Sequence, residues 1–200
     1  MCASATSFHA LSKSRLRAGV SVAVFGIGGL GNSAVQLARA RGALQVFAVD
    51  INEKKLQLAA QYGAVPINAQ RTDPVAEIRR LTNGKGVDVS LELIGLPETM
   101  KQAVQSLGVL GRAVIAGLCD KPLQIDTYRE LLGSEAEIIG SNDHLLSELP
   151  ILIEMARQKV LDTSSVVTRT IPLDADAVNG ALDGLERFGD DVRTVITTER

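Results

Sequence analysis

The chain has 200 residues, 46% of them apolar and 22% charged, with a formal net charge of −2. A chain of this length buries roughly 70% of its unfolded surface, which excludes a miniature stapled scaffold, and the composition excludes disordered and collagen-like classes. Lys and Arg number 21 against 23 Asp and Glu, with no basic block and no apolar run of bilayer length, so nucleic-acid and membrane partners are not expected and a cytoplasmic location is.

In chain order, a leader helix over 1–16 is followed by short β-branched runs that alternate with amphipathic segments. Val20–Phe25, Leu44–Val49, Val65–Asn68, Val87–Leu93, Arg112–Leu118 and Glu135–Ile139 are predicted as strands. Between them lie apolar stripes of helical period: Leu30, Ala34, Leu37 and Ala38; Leu56, Ala59 and Ala60; Val75, Ile78 and Leu81; Met100, Ala103, Val104 and Leu107. Several strands show little alternation, the pattern of strands covered on both faces. Gly63, Asn83 with Gly84 and Gly86, and Gly108 with Gly111 are read as helix ends needing positive φ. The alternation implies an α/β fold, a doubly wound six-stranded parallel sheet over 17–160 that receives ligands outside the carboxyl ends of its strands. Beyond it, Leu145, Leu149, Leu152, Ile153 and Ala156 form one apolar stripe, and Val166–Leu173, a helix through Leu185 and Val192–Thr197 complete a structured tail. The tail, 161–200, is expected not to be another sheet-building βα repeat and to belong to an incomplete second domain.

The first strand ends in Phe25, and Gly26, Gly28 and Gly31 then fit G-x-G-x-x-G, with Gly29 and Leu30 inside the turn. Gly26 permits the tight turn, Gly28 leaves room for a pyrophosphate, and Gly31 lets the helix press onto the strand. The phosphates then meet free amides at the positive end of a helix. Asp50, at the end of the second strand, can accept both adenosine ribose hydroxyls and repel a 2′-phosphate, which favours NAD over NADP. Asp50 with Glu53 also reads as a capping box. The turn and the acid together make the fold Rossmann-type and nicotinamide dinucleotide the expected ligand. A P-loop is excluded because Asn32 and Ser33, not Lys and Ser, follow Gly31. No Tyr-x-x-x-Lys pair and no G-x-S-x-G elbow occurs, which removes the short-chain dehydrogenase and α/β-hydrolase readings.

These residues resemble the cofactor-binding half of the zinc-type medium-chain alcohol dehydrogenases across essentially the whole chain. The likeness runs through Cys2–Thr6, the Gly-rich turn, Asp50, Ile51, Asn52 and Lys55. It continues in Val87, Asp88, Glu92–Gly95 and Gly117, which is taken to end strand five, and in Val192–Val195. The resemblance implies an oxidoreductase passing hydride from an alcohol to NAD while a catalytic zinc stabilises the alkoxide. It implies that Lys55 supports the adenosine ribose and that Arg193 reaches the pyrophosphate. Thr6, Ile94 and Ala116 would lie about the nicotinamide, and Cys2 would be a zinc ligand. It also implies a homodimer formed through the sheet edge near Glu135–Ile139.

Zinc needs three protein ligands, and the family's other cysteine and histidine would precede Cys2, with no second histidine or cysteine at useful spacing in this sequence. The chain is therefore expected to be a fragment that binds NAD, holds no zinc and turns over alcohol poorly alone. His9, His144 and Cys119 are assigned no chemistry. Two alternatives stand beside this reading: a non-enzymatic NAD-binding sensor module, and a fragment of a zinc-free quinone or enoyl reductase.

Overall fold

The computed structural model describes residues 2–164, 166–187 and 189–198. Its centre is a six-stranded parallel sheet in the order β3-β2-β1-β4-β5-β6. The strands are β1 Ser21–Phe25, β2 Gln45–Asp50, β3 Val65–Asn68, β4 Val87–Glu92, β5 Leu107–Ile115 and β6 Glu137–Gly140. Helices α1 Cys2–Lys13, α2 Gly29–Ala40, α3 Glu53–Gln61, α4 Pro74–Leu81, α5 Pro97–Gln105 and α6 Leu149–Arg157 surround it. The tail adds β7 Val167–Pro172, α7 Ala175–Glu186 and β8 Arg193–Thr197.

Period-two alternation divides β1 between two cores. Val22 and Val24 face one cluster with Leu37, Val46 and Leu56, while Ala23 and Phe25 face the other with Phe47, Ile78 and Val104. Both faces are buried, which is why the strand sequences read as apolar runs. The outer face of α2 is unusual in being polar and buried. Helix α1 covers it with small hydroxyl residues: Ser4 Oγ lies 3.0 Å from Ser33 Oγ, and Ser7 Oγ donates to the Leu30 carbonyl at 2.7 Å. The leader helix thus braces the start of α2.

Several details depart from the sequence expectation. Strand β5 begins at Leu107 and ends at Ile115, with a register irregularity opposite Val87–Val89. The positive φ in that corner is at Leu110, 60°, and not at Gly108 or Gly111. Those glycines are needed for close approach instead, since a methyl on Gly108 would stand 2.6 Å from the Lys85 carbonyl oxygen. Gly117 likewise follows the strand and does not end it. The other turn assignments agree, with positive φ at Gly63, Asn83, Gly84 and Gly86.

The tail is a βαβ unit after all, β7 pairing in parallel with β8, but as a separate two-stranded sheet. Of the apolar stripe on α6 and the turn before it, only Leu152 is fully buried, and Leu145 and Ile153 are more than half exposed. No helix among the described residues is long and apolar enough to cross a membrane.

Candidate functional site

Strand order reverses between β1 and β4, so the crossovers leave in opposite directions and open a crevice at the carboxyl ends of those strands. The Gly-rich turn fills its floor. Gly26 has φ +90° and its amide donates to the Val49 carbonyl at 2.8 Å. A methyl on Gly31 would lie 1.9 Å from the Gly26 carbonyl oxygen, so the turn closes onto the first turn of α2 only without a side chain there. At Gly28, the N-cap of α2, a methyl would meet nothing within 4 Å, and no side chain caps the helix. The amino end of a 12-residue helix is therefore left facing open space, which suits an anion from outside the protein.

Asp50 ends β2 beside this turn. One carboxylate oxygen accepts from the Ile27 amide at 2.6 Å and the other from the Asn52 amide at 2.8 Å. The carboxylate thus fixes the Gly-rich turn and keeps a further lone pair on each oxygen. The capping-box reading fails, because the N-cap of α3 is Asn52, whose side chain accepts from the Lys54 and Lys55 amides.

A cavity of about 550 Å³ joins these parts, lined by the turn residues Gly26, Gly28, Gly29, Leu30 and Gly31 with Asp50, Lys55 and Ile94. Arg193 comes from β8, its guanidinium nitrogen 3.4 Å from where a methyl on Gly29 would stand. These sequence-expected residues are brought together. Thr6 and Ala116 do not line the cavity. The Thr6 hydroxyl donates to the Cys2 carbonyl within α1, and the Ala116 amide donates to the Glu92 carbonyl. A second groove of about 550 Å³ lies at the amino ends of the strands, near Ser21, Asn83 and Asp88. Open α/β sheets receive ligands at the other end, which makes the Gly-rich crevice the candidate site.

Two features were given no role from the sequence. The first is a latch: Asp190 accepts from the Asn52 side chain at 2.8 Å and pairs with Lys54, joining the tail to the start of α3. The Lys54 hydrogen bond holds the Asp190 carboxyl below the ordinary carboxylate range, and Asp190 in turn raises Lys54. The second is Glu92, fully buried at the end of β4. Its Oε1 accepts from the amides of Ile94 and Gly95, each at 2.9 Å, and from the Thr99 hydroxyl at 2.8 Å. It shapes the loop that carries Ile94 to the cavity wall.

Cys2 is exposed at the start of α1, but it does not stand alone. The loop after β6 brings Asp143 and His144 to it, a neighbourhood that sequence separation concealed.

Residues 29–157 match the family model described as zinc-binding dehydrogenase. The chain belongs to that family. It corresponds to the cofactor-binding half. A (R,R)-butanediol dehydrogenase of Bacillus subtilis is 32% identical over 86% of this chain and 49% of its own length. An L-threonine 3-dehydrogenase of Bacillus licheniformis is 32% identical over 80% of the chain and 46% of that protein. The chain thus spans about half the length of the curated relatives it matches. Among solved structures, the Bacillus subtilis 2R,3R-butanediol dehydrogenase superposes with a TM-score of 0.88 at 29% identity, covering 99% of this chain and 56% of that one. A zinc-binding dehydrogenase of Sinorhizobium meliloti, solved with NADP bound, gives 0.86 at 26% identity over 97% and 57%. The zinc-binding dehydrogenase fold and the oxidoreductase character of its relatives agree with the sequence reading.

Proposed function

We propose that this zinc-binding dehydrogenase chain binds NAD(H) as the cofactor module of an oxidoreductase acting on an alcohol, with residues 17–160 as the dinucleotide unit, 1–16 as a leader and 161–200 as the return into a second domain. The observation that carries it is the uncapped amino end of α2 facing open space at Gly28, beside a carboxylate at the end of β2. The nicotinamide supplies the hydride acceptor when bound. The amides of the Gly-rich turn and Arg193 hold the diphosphate, and the turn needs no rearrangement because Asp50 already fixes Ile27. Asp50 and Lys55 hold the adenosine ribose, and the Asp50 charge disfavours a 2′-phosphate. Ile94 gives an apolar wall that keeps water from the redox ring, with Thr6 and Ala116 nearer the nicotinamide end.

The relatives' activities belong to proteins about twice this length, so alcohol oxidation by this chain alone is expected to be weak. The setting proposed is the cytoplasm, and the assembly is a homodimer. Strand β6 is the outer strand of the sheet, and its open side can pair across a two-fold axis. Titration calorimetry with NADH and NADPH tests the central claim. NADH should bind more tightly, and Asp50→Asn should narrow the difference at least tenfold. NADPH binding as tightly as NADH to the unaltered chain would reject the selectivity, and no binding of either would reject the function.

A further inference from the structure

The two helix ends beside the crevice are treated in opposite ways. The amino end of α2 is left open at Gly28, whereas the start of α3, just past Asp50, is closed. The Asn52 amide donates to Asp50 at 2.8 Å, its side-chain oxygen accepts from the Lys54 and Lys55 amides, and its side-chain nitrogen donates to Asp190 at 2.8 Å. The other Asp190 oxygen accepts from the Lys54 ammonium. We infer that Asp190 is a second determinant of cofactor choice: an acid from the tail that occupies donors a 2′-phosphate would need and so restricts the crevice to dinucleotides with a free 2′-hydroxyl.

The inference rests on the NAD(H) reading above and deepens it. In that reading Asp50 holds the adenosine ribose hydroxyls, with its own oxygens fixed by the Ile27 and Asn52 amides. A phosphate on the 2′ oxygen cannot enter between Asp50 and the Gly-rich turn, because the 2.6 Å contact of Asp50 with the Ile27 amide leaves no room there. It must lie outward, over the first residues of α3. At neutral pH a phosphate monoester carries a charge of about −1.5 to −2 and calls for several donors. The side-chain donors that follow Asp50 are Asn52 Nδ2, the Lys54 ammonium and Lys55. Asp190 accepts from the first two, and its charge is felt at Lys55 as well.

Charge acts in the same sense as bonding. Asp190 is held in its ionised form by Lys54, and Asp191 adds another acid near that lysine. A phosphate arriving at this rim meets the Asp50 and Asp190 carboxylates and a lysine whose charge is already matched. Selectivity of this kind denies partners to the competing ligand and leaves the preferred one untouched. The same segment carries Arg193, three positions on, whose guanidinium stands over Gly29. The tail thus delivers a cation to the diphosphate end of the crevice and an anion to the ribose end. The Lys54 and Asp190 side chains are both more than half exposed, so replacing either leaves the fold standing.

Titration calorimetry with NADH and NADPH tests the assignment on the unaltered chain, on Asp190→Asn, on Asp190→Glu and on Asp190→Asn combined with Lys54→Met. Asp190→Asn should lower the ratio of the NADPH Kd to the NADH Kd by about fivefold or more, the effect of one unit-charge contact near 4 Å in water. Asp190→Glu, which keeps the charge, should retain the selectivity of the unaltered chain. The gain in NADPH binding should fade at 1 M salt, where the Debye length is about 3 Å, and should be lost when Lys54→Met is added. A ratio indifferent to Asp190→Asn would overturn the inference, as would both affinities falling in step or a gain that persists in full without the lysine. Failure of the unaltered chain to bind NADH would reject the cofactor reading itself, and the inference with it. Selective NADH binding that ignores position 190 would reject the inference alone.

Discussion

Replacing Gly28 with alanine separates the ligand's requirement from the fold's. The backbone there has φ −80° and ψ −155°, open to alanine, and the added methyl meets nothing within 4 Å. Alanine restricts the unfolded chain and stabilises by about 0.4–1 kcal/mol. It is also a poorer N-cap than glycine, by an amount of about the same size. The two effects nearly cancel, so the unfolding midpoint should move by less than about 2–4 °C, the shift that 1 kcal/mol produces at this chain length. Binding should respond differently, because the methyl occupies the space proposed for the diphosphate. Crowding an extra carbon into a filled site costs about 1–3 kcal/mol, a factor of about 5 to 150 in Kd. Scanning calorimetry and NADH titration on one preparation measure both quantities. An unchanged Kd with unchanged stability would refute the placement of the diphosphate at the start of α2.

Gly31→Ala should do the reverse and damage the fold: its methyl would fall 1.9 Å from the Gly26 oxygen, and forcing that turn apart should lower stability by about 1–3 kcal/mol or more, measured by urea denaturation. Glu92→Ala should cost about 1–3 kcal/mol for the buried Gly95 amide it strands, with the part-buried Ile94 amide also losing its acceptor; a thermal midpoint equal to the unaltered protein's would count against that role. The latch is pH-dependent with a definite sign. Asp190 is depressed in the folded protein, so its contribution is present above the unfolded value of about 3.9 and lost as pH falls through the lower folded value. Lys54 is raised, so its contribution is present below about 10.4 and lost as pH rises through the higher folded value. Asp190→Asn should flatten both limbs of the stability profile between pH 2 and pH 12, and a profile parallel to the unaltered protein's would dismiss the latch.

What could be read from the sequence was local. The parallel sheet followed from apolar strands alternating with amphipathic helices, and the crevice from three glycines between a strand and a helix. Asp50 was legible because its place after the second strand is set by that same unit. The misreadings have physical causes. Leu110 takes the left-handed conformation where a glycine was expected, because Gly108 and Gly111 are used for backbone approach. Asn52, not Asp50, caps α3, since the Asp50 carboxylate is committed to the Gly-rich turn. The hydrogen bond of Asp190 with Asn52 and the proximity of His144 to Cys2 join residues more than a hundred positions apart, and no periodicity encodes such a distance.

The crevice is assembled from segments far apart in the sequence. Asp190 and Arg193 reach segments near Gly29 and Asn52, and the Asn52–Asp190 pair spans 138 positions. On a ribosome adding about 5–20 residues per second, the proposed phosphate cradle at Gly29 emerges about 8 to 33 seconds before Arg193, 164 positions later, which lies against it. A nascent chain would therefore meet the cellular nucleotide pool with its grip half built, and tight capture would have to await the arrival of β8.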